Sequence, residues 1–354
     1  MKKKKKEEEE KKEKEEEEEE EKEEEKKEKE EEEEEEKEEE KKEKEEEEEE
    51  EKEEEEKEGG EGTHYETEEE EDRDKYEEEE DIDYSLYECG MKNVEGRIIG
   101  GDETTAGEWP WQVALVHAPT TSLYCGASLI NPRFLLTAAH CASILPIHQV
   151  EAWLGAHDLS KGVEEGRVVR KISQVIIHNQ HNRRTLANDL ALLRMVQPVN
   201  NSRTVRPVCL PEDLDWDAGL SAGMDGRRGG VVAGWGLTEE LGHPSKLLVQ
   251  VHLPFISVGE CRMLYHNVNQ VTSNMLCTLH DPNPQHPAMD SCKGDSGGPL
   301  VVEGEDGRWR QVGVVSFGYG CGRESFPAVY TRITRYLLWI YINIIQSEIS
   351  QMPT

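Results

Sequence analysis

Between Met1 and Tyr65 the chain has no apolar residue. A segment with nothing to bury cannot offset the entropy of ordering, so it cannot fold as a domain. Runs of eighteen apolar residues are also missing, and no membrane span is expected. The CxxC pairs that announce zinc sites are absent, as is any alternation of strands with helices. Basic residues are scarce, 42 against 79 acidic, for a net charge of −37. No basic domain exists, so nucleic acid is not an expected partner.

The charge is concentrated at one end. Residues 1–97 hold 55 of the acidic residues and 22 of the basic ones. The remaining 257 residues are nearly balanced, and their length suits one all-β unit with a sizeable core. Within residues 1–58 the unit KKEKEEEEEEEKEEE occurs three times, starting at Lys11, Lys26 and Lys41. It reads as a solvated tail or spacer. Glu–Lys pairs at i,i+4 could add a transient helix, at about 0.2–0.5 kcal/mol per pair. A polyanion that binds cations or docks a partner is the alternative reading of this arm. Residues 59–97, Gly-rich and then acidic with Tyr65, Tyr76, Tyr84 and Tyr87, read as a linker leading to Cys89.

All eight cysteines lie at or beyond residue 89. An even count without CxxC argues for disulfides and an oxidising, extracellular setting. Yet Met1 is followed by lysines and glutamates without an apolar h-region, which is no signal peptide. The expectation is a secreted precursor whose true start is not Met1.

From Ile98 onward, short β-rich runs are separated by Gly, Pro, Asn and Asp: Trp111–His117, Ser128–Leu136, Val168–Ile177, Val231–Trp235, Leu247–Leu253 and Gln311–Phe317. Their length and spacing suit a barrel or sandwich. Only Ile333–Ile345 reads as a helix, and its apolar run is too short to span a bilayer.

Three short segments carry chemistry. Gly294-Asp295-Ser296-Gly297-Gly298-Pro299 places a serine between glycines, where the backbone turns tightly and consecutive N–H groups can face an oxyanion. Thr137-Ala138-Ala139-His140-Cys141 sets a histidine among small residues. Asn188-Asp189-Leu190-Ala191-Leu192-Leu193 puts a carboxylate at the head of an apolar strand, a costly place unless it is hydrogen-bonded.

Taken together, TAAHC, NDLALL and GDSGGP in that order resemble the chymotrypsin/trypsin family, from about Cys89 to Ile345. Arg97-Ile98-Ile99-Gly100-Gly101 and Gly234-Trp235-Gly236 belong to the same resemblance. It implies an all-β fold of two packed antiparallel barrels with a C-terminal helix, spanning 98–354. It also implies a serine endopeptidase acting through an acyl-enzyme. Ser296 would be the nucleophile, His140 the base and then acid, and Asp189 the residue holding His140. The N–H groups of Gly294 and Ser296 would form the oxyanion hole. A serine hydroxyl attacks well only when a base takes its proton, and imidazole titrates near neutrality. A protease-like fold that has lost catalysis normally lacks one of these residues; His140, Asp189, Ser296 and Gly294 are all present.

By the same resemblance the chain is a zymogen cut at Arg97–Ile98, whose new Ile98 ammonium would pair with Asp295. The implied disulfides are Cys125–Cys141, Cys261–Cys277, Cys292–Cys321 and Cys89–Cys209, the last tethering the arm after cleavage. Asp290 stands at the base of the primary pocket, with Ser316, Gly318 and Ala328 lining it, so substrates would be cut after Lys or Arg. Ala328 replaces the usual Gly and should narrow that pocket. Phe317 replaces a Trp, and Lys293 at the rim favours acidic flanking residues. Pro327 stands where sodium-activated members carry Tyr, so no sodium site is expected, and the resemblance implies no metal or other cofactor. The implied partners are protein or peptide substrates, an activating trypsin-like protease and protein inhibitors. One glycosylation sequon, Asn200-Asn201-Ser202, falls in an expected surface loop.

Overall fold

The computed structural model describes residues 89–93, 104–214, 216–217, 229–236, 245–266, 268–279, 295–318 and 326–351. Twelve strands form two closed antiparallel barrels, with strand orders β1-β2-β3-β6-β5-β4 and β10-β11-β12-β9-β8-β7. The first comprises β1 (Gln112–His117), β2 (Ser122–Leu129), β3 (Phe134–Thr137), β4 (Val150–Leu154), β5 (Val168–Ile177) and β6 (Ala191–Met195). The second comprises β7 (Gly229–Gly234), β8 (Val249–Ile256), β9 (Met275–Thr278), β10 (Pro299–Glu303), β11 (Trp309–Phe317) and β12 (Ala328–Arg332). This is the two-barrel fold that the family resemblance implied.

One expected strand divides. Ser128–Leu136 is not continuous but splits into the end of β2 and the start of β3. Asn131 is the cause. Its side-chain oxygen accepts hydrogen bonds from the N–H groups of Arg133 and Phe134, at 2.9 and 2.8 Å. This local turn competes with the ladder and folds the run into a hairpin.

Three helices complete the described residues: α1 (Ala139–Ala142), α2 (Val258–Tyr265) and α3 (Leu337–Ile349). Ser257 caps α2 by accepting from the Glu260 N–H at 3.1 Å. The C-terminal helix opens as a 3-10 turn over Ile333–Arg335 and runs four residues beyond the expected Ile345. Three of its four added residues, Gln346, Ser347 and Glu348, are polar, and side-chain bonds that hydrophobic periodicity does not register hold them. Ser347 donates to Gln174 on β5 at 2.7 Å, and Glu348 lies 3.7 Å from Arg194 on β6.

Each barrel fills with inward side chains. Val113, Leu115, Leu136, Leu154 and Leu192 are fully buried in the first, and Leu300, Val312 and Tyr330 in the second. Polar contacts stitch the barrels where they meet. The Gly126 N–H on β2 donates to the Ser296 carbonyl at 2.8 Å, and the Ser128 hydroxyl donates to Gln311 on β11 at 2.6 Å. Among the described residues, no helix is long and apolar enough to cross a membrane.

Candidate active site

The seam between the barrels brings together His140, Asp189 and Ser296, three of the residues singled out in the sequence. His140 lies in the first turn of α1, shortly after β3, and Asp189 lies two residues before the start of β6. Because β3 and β6 are paired, with Thr137 opposite Ala191, the two side chains emerge at the same end of the first barrel. Asp189 is fully buried. Its Oδ1 accepts from the His140 backbone N–H at 2.8 Å, and its Oδ2 sits 2.7 Å from His140 Nδ1. The Ser316 hydroxyl at the end of β11 donates to Oδ2 at 2.6 Å. Three donors satisfy a carboxylate that would otherwise be costly to bury. With Nδ1–H donating to this carboxylate, Nε2 is the ring nitrogen left to act on a substrate.

Ser296 enters from the second barrel, on the turn before β10. The turn is closed by Gly298 N–H to the Asp295 carbonyl, at 2.8 Å, and tied to β11 by Gly297 N–H to the Val315 carbonyl, also at 2.8 Å. Gly297 has φ of +81°, and a Cβ there would fall on the Thr137 hydroxyl and within 2.6 Å of the Gly126 carbonyl oxygen. Only glycine fits. Cys141 Sγ touches both halves of the seam, 3.5 Å from His140 Nε2 and 3.4 Å from the Ser296 carbonyl. Cys125, His140 and Cys141 also cluster as metal ligands would, but both sulfurs are spent in the Cys125–Cys141 disulfide. A bridged sulfur is no thiolate, so the cluster is not a metal site.

Asp295 is buried against the loop after β7, where its Oδ1 accepts the Gly236 N–H at 2.9 Å. Its carboxylate fills the space that side chains at Gly234 and Gly236 would need. Ala328, at the start of β12, is buried, while Gly318 is exposed just beyond β11. The Phe317 ring packs edge-on against Tyr265 at 5.7 Å. Tyr265 donates to the Pro327 carbonyl at 2.7 Å. Asp290, Lys293, Gly294, Arg97 and Ile98 lie outside the described residues. So does the expected Cys292–Cys321 pair; the Cys89–Cys209, Cys125–Cys141 and Cys261–Cys277 bridges are present. Asn200 of the sequon is exposed.

Several supporting residues were not singled out in the sequence. Thr331 on β12 donates to the Asp189 carbonyl at 2.9 Å, and the Ser316 hydroxyl, assigned to the pocket wall, is turned to Asp189. Tyr336 donates to Asn188 at 2.7 Å, tying the entrance of α3 to the residue before Asp189. Burial pushes the Tyr336 phenol up to about 12. His178 packs between Tyr336 and Trp339, at ring separations of 5.3 and 5.1 Å. Burial, with nearby His181 adding to it, lowers its pKa below the ordinary histidine range. His181 lies 3.9 Å from Asp189. Asn188 has φ of +52°, a left-handed position that Asn tolerates better than most residues. That tolerance was the one local signal available.

Two barrels meeting over a buried aspartate–histidine pair and a glycine-flanked serine define the class of double-barrel serine proteases, which are hydrolases. Within that class the chain belongs to the trypsin family, whose model "Trypsin" matches residues 98–340. It is 38% identical to the Suppressor of tumorigenicity 14 protein homolog of Bos taurus, over 72% of this chain and 29% of that protein. It is 40% identical to Transmembrane protease serine 9 of Rattus norvegicus, over 73% of this chain and 23% of that protein. It is 33% identical to Serine proteinase stubble of Drosophila melanogaster, over 72% of this chain and 32% of that protein. The chain spans less than a third of the length of each of these relatives.

Proposed function

We propose that this chain is a serine endopeptidase that cuts after Lys or Arg and acts outside the cell once cleaved at Arg97. The observation that carries the reading is the seam itself. A buried carboxylate grips His140 through two of its nitrogens, and Cys141 Sγ lies 3.5 Å from His140 Nε2 and 3.4 Å from the Ser296 carbonyl oxygen, so the histidine and the serine turn meet around one atom.

The chemistry follows from that arrangement. Ser296 Oγ attacks the scissile carbonyl carbon while His140 Nε2 takes its proton. The resulting oxyanion is held by the N–H groups of Gly294 and Ser296. Collapse breaks the C–N bond, and the leaving amine receives the proton from His140. A water molecule then repeats the sequence on the acyl-enzyme, with His140 again as base. Asp189 keeps the proton of His140 on Nδ1 and stabilises the imidazolium. This triad is a general worked template of serine hydrolysis and is not peculiar to this chain.

Asp290 supplies the negative base of the primary pocket, where a basic side chain gains a charge-assisted hydrogen bond. Asp295 supports the zymogen reading. It sits buried beside the nucleophile, against a loop whose glycines leave space for its carboxylate. A new ammonium at Ile98 would reach it from the freed chain end. The Cys89–Cys209 bridge would then keep the cleaved arm attached. The disulfides support extracellular action. The natural partners in this reading are protein substrates, an activating protease and protein inhibitors.

The test is active-site labelling. A fluorophosphonate should modify Ser296 after trypsin treatment, and Ser296→Ala should abolish the label. Matched peptides differing only at the residue before the cut should be hydrolysed for Lys and Arg, and both rates should vanish in Asp290→Ser. Strong cleavage after Phe or Leu by the wild type would overturn the specificity.

A further inference from the structure

The loop that delivers Asp189 to the seam begins after Ile177, the last residue of β5, and its charge is of one sign. Residues 177–188 include Arg183, Arg184, His178 and His181 and no Asp or Glu. The segment it meets in the second barrel, residues 261–274, also lacks Asp and Glu and adds Arg262 and His266. Glu260, next to that segment, lies in the first turn of α2, at the end away from the contact. Asp189 itself is buried and already satisfied by its donors.

The loop is fixed from both barrels. Asn182 Oδ1 accepts from the N–H groups of Arg184 and Thr185 at 2.9 and 3.2 Å, and the Asn182 N–H donates to the Ala187 carbonyl at 3.0 Å. Leu186 is kept at φ of +56°, a costly position for a residue with a side chain that persists only where the surroundings enforce it. From the second barrel, the Asn269 side-chain amide donates to the Thr185 carbonyl at 3.0 Å. The Asn269 N–H donates to the Tyr265 carbonyl, also at 3.0 Å, and the Tyr265 ring packs on Phe317. The loop therefore stands on the Phe317 side of the seam, where β11 ends.

Arg183 and Arg184 lie at its tip. Both are exposed, and neither guanidinium has a hydrogen bond or an ion pair among the described residues. By contrast, Arg167 donates to the Lys161 and Gly162 carbonyls, Arg170 to the Pro198 carbonyl, and Arg310 pairs with Asp306 and Glu212. Two uncommitted guanidiniums on a fixed loop attract carboxylates and can hold them in bidentate form. Because the loop is already ordered, binding loses less entropy there than on a mobile one.

We propose that Arg183 and Arg184 form a subsite for acidic side chains of the substrate, at the third and fourth residues before the cut. The proposal rests on the protease reading. The residue before the cut fills the pocket walled by the end of β11, and the loop stands on that same side, so the preceding residues run past it. A long polyanion is the competing ligand. The neighbours of the two arginines, Asn182 and Thr185, are uncharged, and the chain's net −37 repels such a polymer, so a short acidic segment is favoured.

The experiment reads binding apart from turnover. Ser296→Ala protein, cut after Arg97 by trypsin, is titrated by fluorescence anisotropy with peptides carrying Asp-Asp-Gly-Arg or Asn-Asn-Gly-Arg. The acidic peptide should bind about three- to tenfold tighter, the range of one or two exposed ion pairs. That ratio should fall to near one in Arg183→Gln/Arg184→Gln. It should survive in Arg183→Lys/Arg184→Lys and in the distant control Lys171→Gln, and should shrink as salt rises from about 50 to about 500 mM. With Ser296 present, the same ratio should appear in kcat/KM. Absence of turnover with the binding ratio intact would sink the protease reading and leave the subsite standing. Equal affinity for the two peptides would overturn the proposal, as would a ratio that outlasts removal of both guanidiniums. The same ratio with the Asp pair moved to the other side of Arg would also overturn it, in favour of a diffuse field that any polyanion could use.

Discussion

Gly297→Ala isolates the physical requirement behind the serine turn. The residue has φ of +81°, and an L side chain in the left-handed region costs about 1–2 kcal/mol. Its Cβ would also meet the Thr137 hydroxyl, the Gly126 carbonyl oxygen at 2.6 Å and Cys141 Sγ at 3.1 Å. Two of these cannot move cheaply, since Gly126 is strand backbone and Cys141 is bridged. Overpacking of this kind costs about 1–3 kcal/mol, so the total is about 2–5 kcal/mol. For a domain of this size the melting temperature should fall by roughly 5–15 °C. Two controls separate the contributions. Gly307 has φ of +75° but open space around its Cβ position, so Gly307→Ala carries the backbone cost without the clash. Gly162 has neither, and Gly162→Ala should stay within about 0.5 kcal/mol. The turn also sets Ser296, whose carbonyl accepts from Gly126 N–H at 2.8 Å. A shift of about 1 Å in the nucleophile should cost about 100-fold in kcat/KM. Calorimetry and peptide hydrolysis on the three variants decide the matter. If Gly297→Ala melts with Gly162→Ala and keeps its rate, the steric account of the turn is wrong.

Ser296→Ala and His140→Ala should each remove nearly all peptidase activity, and the double variant should be little worse, because the residues act as a unit; additive losses would refute the shared role. Arg97→Gln should block activation by trypsin, whereas the wild type should yield an N-terminus at Ile98 with both pieces joined under non-reducing conditions. Ala328→Gly should raise the Arg:Lys ratio in kcat/KM by about 5–150-fold if the methyl costs about 1–3 kcal/mol against the broad guanidinium; an unchanged ratio removes the bias. His178 has a lowered pKa in the fold, and its Nδ1 accepts from the Gln180 N–H at 3.3 Å. The unfolded chain therefore binds the proton more readily, and stability from this group is present above about pH 6.5 and lost as pH falls below it. His178→Phe should flatten the melting temperature against pH across that window, and a parallel curve would contradict the assignment.

The parts of this molecule that the sequence made legible are those encoded over short spans. Strand runs such as Val168–Ile177 matched their residues, because alternation and bounding turns are local properties. The break inside Ser128–Leu136 was also local, in Asn131, but a side-chain acceptor at a turn competes with strong apolar flanks and is easily outweighed in reading. What could not be read is what joins distant segments. Ser316 and Asp189 are 127 residues apart, and Tyr336 and Asn188 are 148 apart. Neither residue of either pair carries a periodicity or spacing that points to the other. Their meeting depends on closure of both barrels.

That dependence bears on how the site is held. Asp189 heads β6 of the first barrel, yet Ser316 on β11 and Thr331 on β12 of the second both donate to it. His140, on α1, rests on the same carboxylate through two nitrogens. A buried anion satisfied from both barrels is well solvated only when the barrels are docked, so its desolvation cost opposes any partly separated state. Electrostatics thereby favours the one barrel arrangement that also brings Ser296 to the seam, and Gly126 N–H to the Ser296 carbonyl closes the same interface from the opposite side. Ser316→Ala should accordingly loosen the seam as well as the imidazole: faster hydrogen exchange at Gly126 would accompany any fall in rate. A fall in rate with exchange at Gly126 unchanged would confine Ser316 to holding His140.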